Sequence, residues 1–298
     1  GYGRKELYPF SDIDIMILFR PEIVDGVGKV ADAILYPLWD TGLEVGHGVR
    51  NVAESMDHAQ EDFYFRVALI DARFLAGSKS LFQELQEEYA KRYVSGKREE
   101  FVRTMQAFRE ERREKYGSHS YLLEPHIKEG KGGLRDIQAM MWTSQVVFGL
   151  CGLEGIAGAG LLTEEERQEF EESWNMLVQI RNRLHYISKR KNDQLYFEQQ
   201  EEMAEAFGHV ASGAVLGVES FMRQVYAHLQ KVAVVTDLFF NHVDEVLGIG
   251  GTLTECFPNK VIEKGVEIRN NRLHLVAVRS ELEAKPHMLM RLFLAAAR

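Results

Sequence analysis

Cysteine is scarce: the 298 residues hold two, Cys151 and Cys256, far apart and without a CxxC spacing. That leaves no material for a disulfide framework or a structural zinc site, and it fits a reducing cytoplasm. Long apolar runs are missing too. No stretch reaches the ~20 residues that cross a bilayer and no signal-peptide pattern opens the chain, so a cytoplasmic location without a membrane partner is expected. Excess positive charge is a third absence. Against 36 Lys and Arg stand 45 Asp and Glu, a net charge of -9, which disfavours the broad basic surface that a nucleic acid partner needs. An initiating Met is also lacking, and because Gly1 stands inside a motif the expectation is a piece of a longer protein. What is present is 45% hydrophobic residues, enough for substantial cores and, at this length, one to three domains.

Patterning divides the chain. IDIMILF at 13–19 is short, β-branched and apolar, and reads as a buried strand. VADAILYPLWDTG has helical spacing interrupted by Pro37, and LEVGHGVRN reads as a second strand punctuated by Gly46 and Gly48. DFYFRVALIDARFLAG predicts a helix stopped by Gly77, with Asp62 as its cap, and SLFQELQEEYAKRYV another with its leading serine as cap. From there to about residue 240 nearly everything is helical. Residues 98–123 are charged and amphipathic, and the RREK run reads as a solvated helix face. Thr163 and Glu166 have capping-box spacing ahead of a long helix. Trp142 and Trp174 read as core. Beyond Gly248, short extended pieces with an Asn-Asn turn precede a last helical stretch, HMLMRLFLAAAR. The expected fold class is α+β, with divisions at 1–76, 77–240 and 241–298.

The chemistry concentrates in the opening stretch, GYGRKELYPFSDIDIMILFR. Side chains i and i+2 of a strand share a face, so Asp12 and Asp14 present two carboxylates together. Like charges so close repel, and a cation would neutralise them. Hard oxygen ligands with open coordination positions suit Mg²⁺, with Mn²⁺ as a substitute, and Mg²⁺ commonly completes its shell with phosphates. Gly1 and Gly3 allow the backbone to approach a phosphate, with Tyr2, Arg4 and Ser11 alongside. A lone DxD is common by chance; the surrounding block makes it informative.

That block, with its glycine turn, Ser-Asp-x-Asp and apolar strand, resembles the nucleotidyltransferase superfamily that includes DNA polymerase β. The resemblance narrows along the chain. GYGRKELYPFSDIDIMIL, LEVGHGVRN, ALIDARFLAGS, LEPHIKEGKGGLRDIQAMMW, RNRLHYISKRKNDQLYFEQQEEMAEAFG and VESFMRQVYAHLQKV are similar, in this order, to the bacterial PII uridylyltransferase/uridylyl-removing enzymes. The resemblance implies a polymerase β-like nucleotidyltransferase core followed by a mainly α-helical domain. It implies transfer of UMP from UTP to a tyrosine hydroxyl of the PII nitrogen-signalling protein, with glutamine as effector of the longer enzyme. Departures from the family pattern fall at Gly48, Asn51, His126, Ile127 and Lys131. The 298 residues contain no His-Asp dipeptide, so the uridylyl-removing activity, which the family places in an HD domain, is not expected of them. Two other readings stay open: a related nucleotidyltransferase using ATP or another acceptor, and a catalytically silent nucleotide- or PII-binding module.

Further site residues are weighed with their structural alternatives. Glu44 is the candidate third carboxylate, with Asp62 behind it. Arg50, beside His47 at the end of the second strand, could contact phosphate or base. KEGKGGLRDIQ places Gly130, Gly132 and Gly133 in a flexible turn leading into a helix near Leu134, where Lys128, Lys131 and Arg135 could meet the phosphates. Arg181 and His185, four apart on one helix face, could pair with acids or line the cleft, and a structural role is the first reading.

Overall fold

The computed structural model describes residues 1–119 and 121–249, together with strand backbone at 260–263, 266–269 and 272–275. Two compact units are present, Gly1–Asn241 and His242–Arg298. The first is a small parallel sheet followed by helices, in keeping with α+β.

Strands β1 (Ile13–Leu18) and β2 (Val45–Arg50) pair in parallel, Ile13 opposite Val45 and Asp14 opposite Gly46. Helix α1 (Val24–Asp40) connects them. It is not interrupted at Pro37, which lies in the last turn, where the ring removes a single backbone hydrogen bond and little helix remains to be broken. Helices α2 (Val52–Glu61), α3 (Phe63–Ile70) and α4 (Lys79–Tyr89) cover the sheet. Met16 and Leu18 of β1 pack on Met56 and Ala59 of α2 and on Leu85, Tyr89 and Tyr93. Asp62 caps α3 as expected, accepting from the N–H groups of Tyr64 and Phe65. This helix ends at Ile70 rather than at Gly77. Asp71 and Arg73 just beyond it are held by the N-terminal segment, and that competes with helix continuation. The cap of α4 is Ser78, with Ser80 inside the helix.

The helical part comprises α5 (Arg98–Tyr116), α6 (Leu134–Phe148), α7 (Gly152–Gly158), α8 (Glu164–Ser188), α9 (Phe197–Ala206) and α10 (Gly217–Leu247). The capping box of α8 is present: Thr163 accepts from the N–H of Glu166, whose carboxylate accepts from the N–H of Thr163. Fully buried Phe101, Met105, Ile137, Met140, Phe170, Leu177 and Phe221 fill its core.

The RREK run is a solvated face only in part: Glu114 and Lys115 are exposed, whereas the two arginines turn inward. Arg112 is buried, paired with Asp136 and near Glu129, while the neighbouring Arg109 and Arg113 share Asp237 at 2.8 and 2.6 Å. The periodicity of α5 turns Arg109 and Arg112 toward the same side as Phe101, Met105 and Phe108. Burial of guanidinium groups is tolerable there because carboxylates are supplied from α6 and α10. Trp142 is buried as expected, although its indole N–H is spent on Asp71; Trp174 is only half-buried.

In the second unit β3 (Lys260–Glu263), β4 (Val266–Arg269) and β5 (Arg272–Leu275) form an antiparallel sheet. The Asn-Asn turn, Cys256 and the last helical stretch lie outside the described residues. No helix among the described residues is long and apolar enough to cross a membrane.

Candidate active site

The site forms at the N-terminal end of β1. Asp12 stands one residue before the strand and Asp14 is its second residue. Asp14 faces Gly46 of β2, where a Cβ would lie 2.6 Å from the carboxylate oxygen Oδ1, so the close approach requires glycine. The carboxyl of Asp14 is raised above the ordinary range, by burial first and then by the charge of Asp12. Burial also disfavours the Asp12 carboxylate, but Lys191 outweighs it through a 3.0 Å hydrogen bond and its charge, and the pKa falls. Both partners of this ion pair are substantially exposed, at 40% and 49%, so the pair contributes at most about 1 kcal/mol.

Lys191 comes from the segment between α8 and α9, and a buried cluster sets that segment. Asp193 accepts from Arg181 at 2.6 Å and lies 3.1 Å from His185 Nε2. The backbone N–H of Phe10 donates to His185 Nδ1 at 3.3 Å, which assigns the proton to Nε2 and directs it at Asp193. The guanidinium of Arg181 also stacks on Tyr8, 3.8 Å from its ring centre. Through these contacts the segment ahead of Asp12 is fastened to α8.

The glycine-rich loop lies on the other side of the same segment. Ile127 N–H donates to the Asp193 carbonyl at 2.8 Å, and Leu195 N–H to that of Pro125 at 3.0 Å. Lys128, largely buried and lowered by that burial and by the charge of Arg135, is close enough for its charge to act on both Asp12 and Asp14. The loop is not a flexible turn. Gly130 N–H bonds the His126 carbonyl and Leu134 N–H that of Ile127, and a Cβ on Gly132 would fall 1.9 Å from the carbonyl oxygen of Leu229. The N-terminus of α6 carries its own anion, since Asp136 accepts from the N–H of Gly132 at 2.9 Å.

The remaining expected residues are placed as follows. Gly3 packs against the Asp71 carbonyl, where a Cβ would meet oxygen at 2.2 Å; Tyr2 lies beneath Arg73, which also bonds its carbonyl. Arg4 pairs with Asp71 and Glu6, and Gly1 accepts at its carbonyl from Glu6 N–H. Ser11 donates its N–H to the carbonyl of Tyr8. Glu44 precedes β2, with an exposed side chain and its carbonyl on Ile13 N–H. Arg50 folds back over Gly48 and sits 5.1 Å from the ring of Phe65. Arg135 pairs with Glu129, bonds Gln138 and lies over Trp142, and Lys131 is 3.6 Å from Asp237. Sequence reasoning did not single out Lys191, Asp193 or Asp71. The clustered cations and acid of KRKND were the one available signal.

Among the described residues no three His, Cys, Asp or Glu side chains gather as a metal cage. Two carboxylates with an open side, one of them held against its neighbour's repulsion, nonetheless fit a hard divalent cation that takes further oxygens from water and phosphate. Beside them an open pocket of about 420 Å³ is lined by Tyr116, His126, Arg190, Lys191, Asn192, Asp193, Gln194 and Tyr196.

Paired carboxylates at the head of a parallel strand, next to a cation-lined pocket in a largely helical chain, define the class of arrangement. The relatives are more specific. Residues 100–240 match the family described as GlnD PII-uridylyltransferase. The chain is 36% identical over 239 residues, 80% of its length, to a bifunctional uridylyltransferase/uridylyl-removing enzyme of Azospirillum brasilense. Enzymes of the same description from Cereibacter sphaeroides and Nitrobacter hamburgensis are 37% and 32% identical over 82% and 93% of the chain. The resemblance to this family is therefore shown. The chain spans 26% of the length of the first two relatives and 31% of the third.

Proposed function

We propose that this chain carries the nucleotidyl-transfer site of a PII uridylyltransferase, moving UMP from UTP to a tyrosine hydroxyl of a PII protein. The juxtaposition of Asp12 and Asp14, at the open end of β1 and in a chain similar to enzymes of that name, carries the reading. In the reaction the acceptor hydroxyl gives up its proton to solvent and forms a bond to the α-phosphorus. The bond from that phosphorus to the bridging oxygen breaks, and pyrophosphate leaves with the electron pair. A bound Mg²⁺ would supply charge stabilisation for the attacking and leaving oxygens, held by Asp12 and Asp14. The chain's part is to fix geometry and charge. Gly46 leaves room for the Asp14 carboxylate, the Asp193 cluster anchors the strand's approach, and Lys128 and Lys191 place positive charge where triphosphate oxygens would lie. Glutamine acts, on this reading, as an effector of the longer enzyme.

Asp14→Asn tests the assignment. The fold should survive, because the partly covered side chain still reaches solvent and Asn keeps its size, while UMP transfer to PII should fall at least ~10²-fold. Unchanged turnover at saturating Mg²⁺, with an unaltered circular dichroism spectrum, would reject it.

A further inference from the structure

We propose that Lys191 is a charge-exchange residue: it neutralises Asp12 while the site is empty and transfers to the phosphates when a divalent cation and a nucleoside triphosphate enter. The inference rests on the metal-dependent transfer proposed above and assigns a role to a residue outside the paired carboxylates.

The first observation is a contrast between neighbours. Lys191 and Asp12 form an exposed pair, whereas Arg181 and Asp193, two positions on, form a buried one with side chains 5% and 8% exposed. The backbone around Lys191 is therefore fixed. Asn192 Nδ2 bonds Ser188 Oγ and Gln199 Oε1 at 3.0 and 3.2 Å, and the Asp193 carbonyl is held by Ile127 N–H. The exposed lysine side chain can change partner without disturbing that scaffold. The ammonium sits at 3.0 Å from Asp12 Oδ1, within the space a cation ligated by that oxygen would need. Ammonium and metal ion thus compete for one carboxylate oxygen.

The second observation is where the displaced ammonium can go. Lys191 lines the open pocket with Arg190, and the carboxylate there, Asp193, is already engaged by Arg181 and His185. That pocket offers cations to an anion, directly beside carboxylates that need a cation. A metal-bound polyphosphate satisfies both at once, and the long, flexible stem of lysine spans the short move.

The test is a pair of binding measurements on the 298-residue chain, by isothermal titration, comparing wild type with Lys191→Ala, Lys191→Arg and Asp14→Asn. Mn²⁺ alone and inorganic triphosphate with Mg²⁺ serve as probes. Lys191→Ala should bind Mn²⁺ alone several-fold more tightly, because the competitor is gone, yet bind Mg²⁺–triphosphate about tenfold more weakly, with Lys191→Arg restoring most of that loss. Opposite signs in one variant are not produced by a structural role. If Lys191→Ala weakens both or leaves triphosphate binding unchanged, the exchange is overturned while metal binding at the carboxylates stands. If Asp14→Asn binds Mn²⁺ as wild type does, the metal-dependent reading fails and the exchange fails with it.

Discussion

Two single residues show how function and stability separate in this site. Gly46 has ordinary backbone geometry, so its special feature is space: a Cβ would press on the Asp14 carboxylate. Alanine there restricts the unfolded chain and is tolerated by the strand, and so Gly46→Ala should leave the melting temperature unchanged or raised slightly. UMP transfer should nonetheless fall by about tenfold or more as the carboxylate is displaced. Asp193 behaves the other way. Burial works against its charge, but His185 and Arg181 hold the carboxyl well below the usual range. The native protein therefore gives up this proton more readily than the unfolded chain. The stability it contributes is complete above the unfolded carboxylate's pKa of about 4 and is lost as pH falls through the folded value. Asp193→Asn leaves Arg181 buried without a counter-charge and should cost about 3–5 kcal/mol at neutral pH. Denaturant titrations from pH 3 to 7 should show a flatter acid limb in the variant than in wild type.

At the scale of elements, the start of α6 owes its shape to backbone crowding. Gly132 has a φ of 76° and faces the Leu229 carbonyl of α10, Gly133 faces three carbonyls, and Asp136 closes the turn while pairing with Arg112. Gly132→Ala combines left-handed strain with a backbone clash. It should destabilise the chain by about 3 kcal/mol or more, read as a lower thermal midpoint, and disturb Lys128 with it. The sequence showed a glycine-rich loop running into a helix near Leu134, and the helix is there. It could not show whether those glycines serve a phosphate or a neighbouring helix, because the carbonyl that excludes a side chain at 132 is 97 positions away along the chain. The same limit explains α5. Amphipathic spacing identified the helix, yet the partners that bury Arg109 and Arg112 sit on α6 and α10. Local signals performed better: the capping box at Thr163, the cap at Asp62 and the strand around Asp14 all depend on residues within a few positions.

At the scale of the whole molecule, the carboxylate pair was legible because i, i+2 spacing is a local property, whereas the cations around it arrive from distant segments. Asp12 meets Lys191 across 179 positions, and Phe10 meets His185 across 175. The first compact unit is knit in the same way beneath the sheet. Met16 and Leu18 bury themselves on Met56 and Ala59, but the far wall of that cluster is Leu85, Tyr89 and Tyr93, from α4 and the turn after it. Tyr93 adds a hydrogen bond to the Met56 carbonyl, and Leu85 is 2% exposed. A fragment ending at residue 76 keeps both strands and both carboxylates yet loses that wall. It also loses Trp142, which shares Asp71 with Arg4, and the Arg181 and His185 contacts to Tyr8 and Phe10. A two-stranded sheet does not hold itself together in water without such cover. Residues 1–76 alone should therefore show no cooperative thermal transition by circular dichroism and no Mn²⁺ binding above that of an unfolded acidic peptide, while residues 1–241 should retain both. A sharp melting transition in the short fragment would mean that the site's scaffold is local after all.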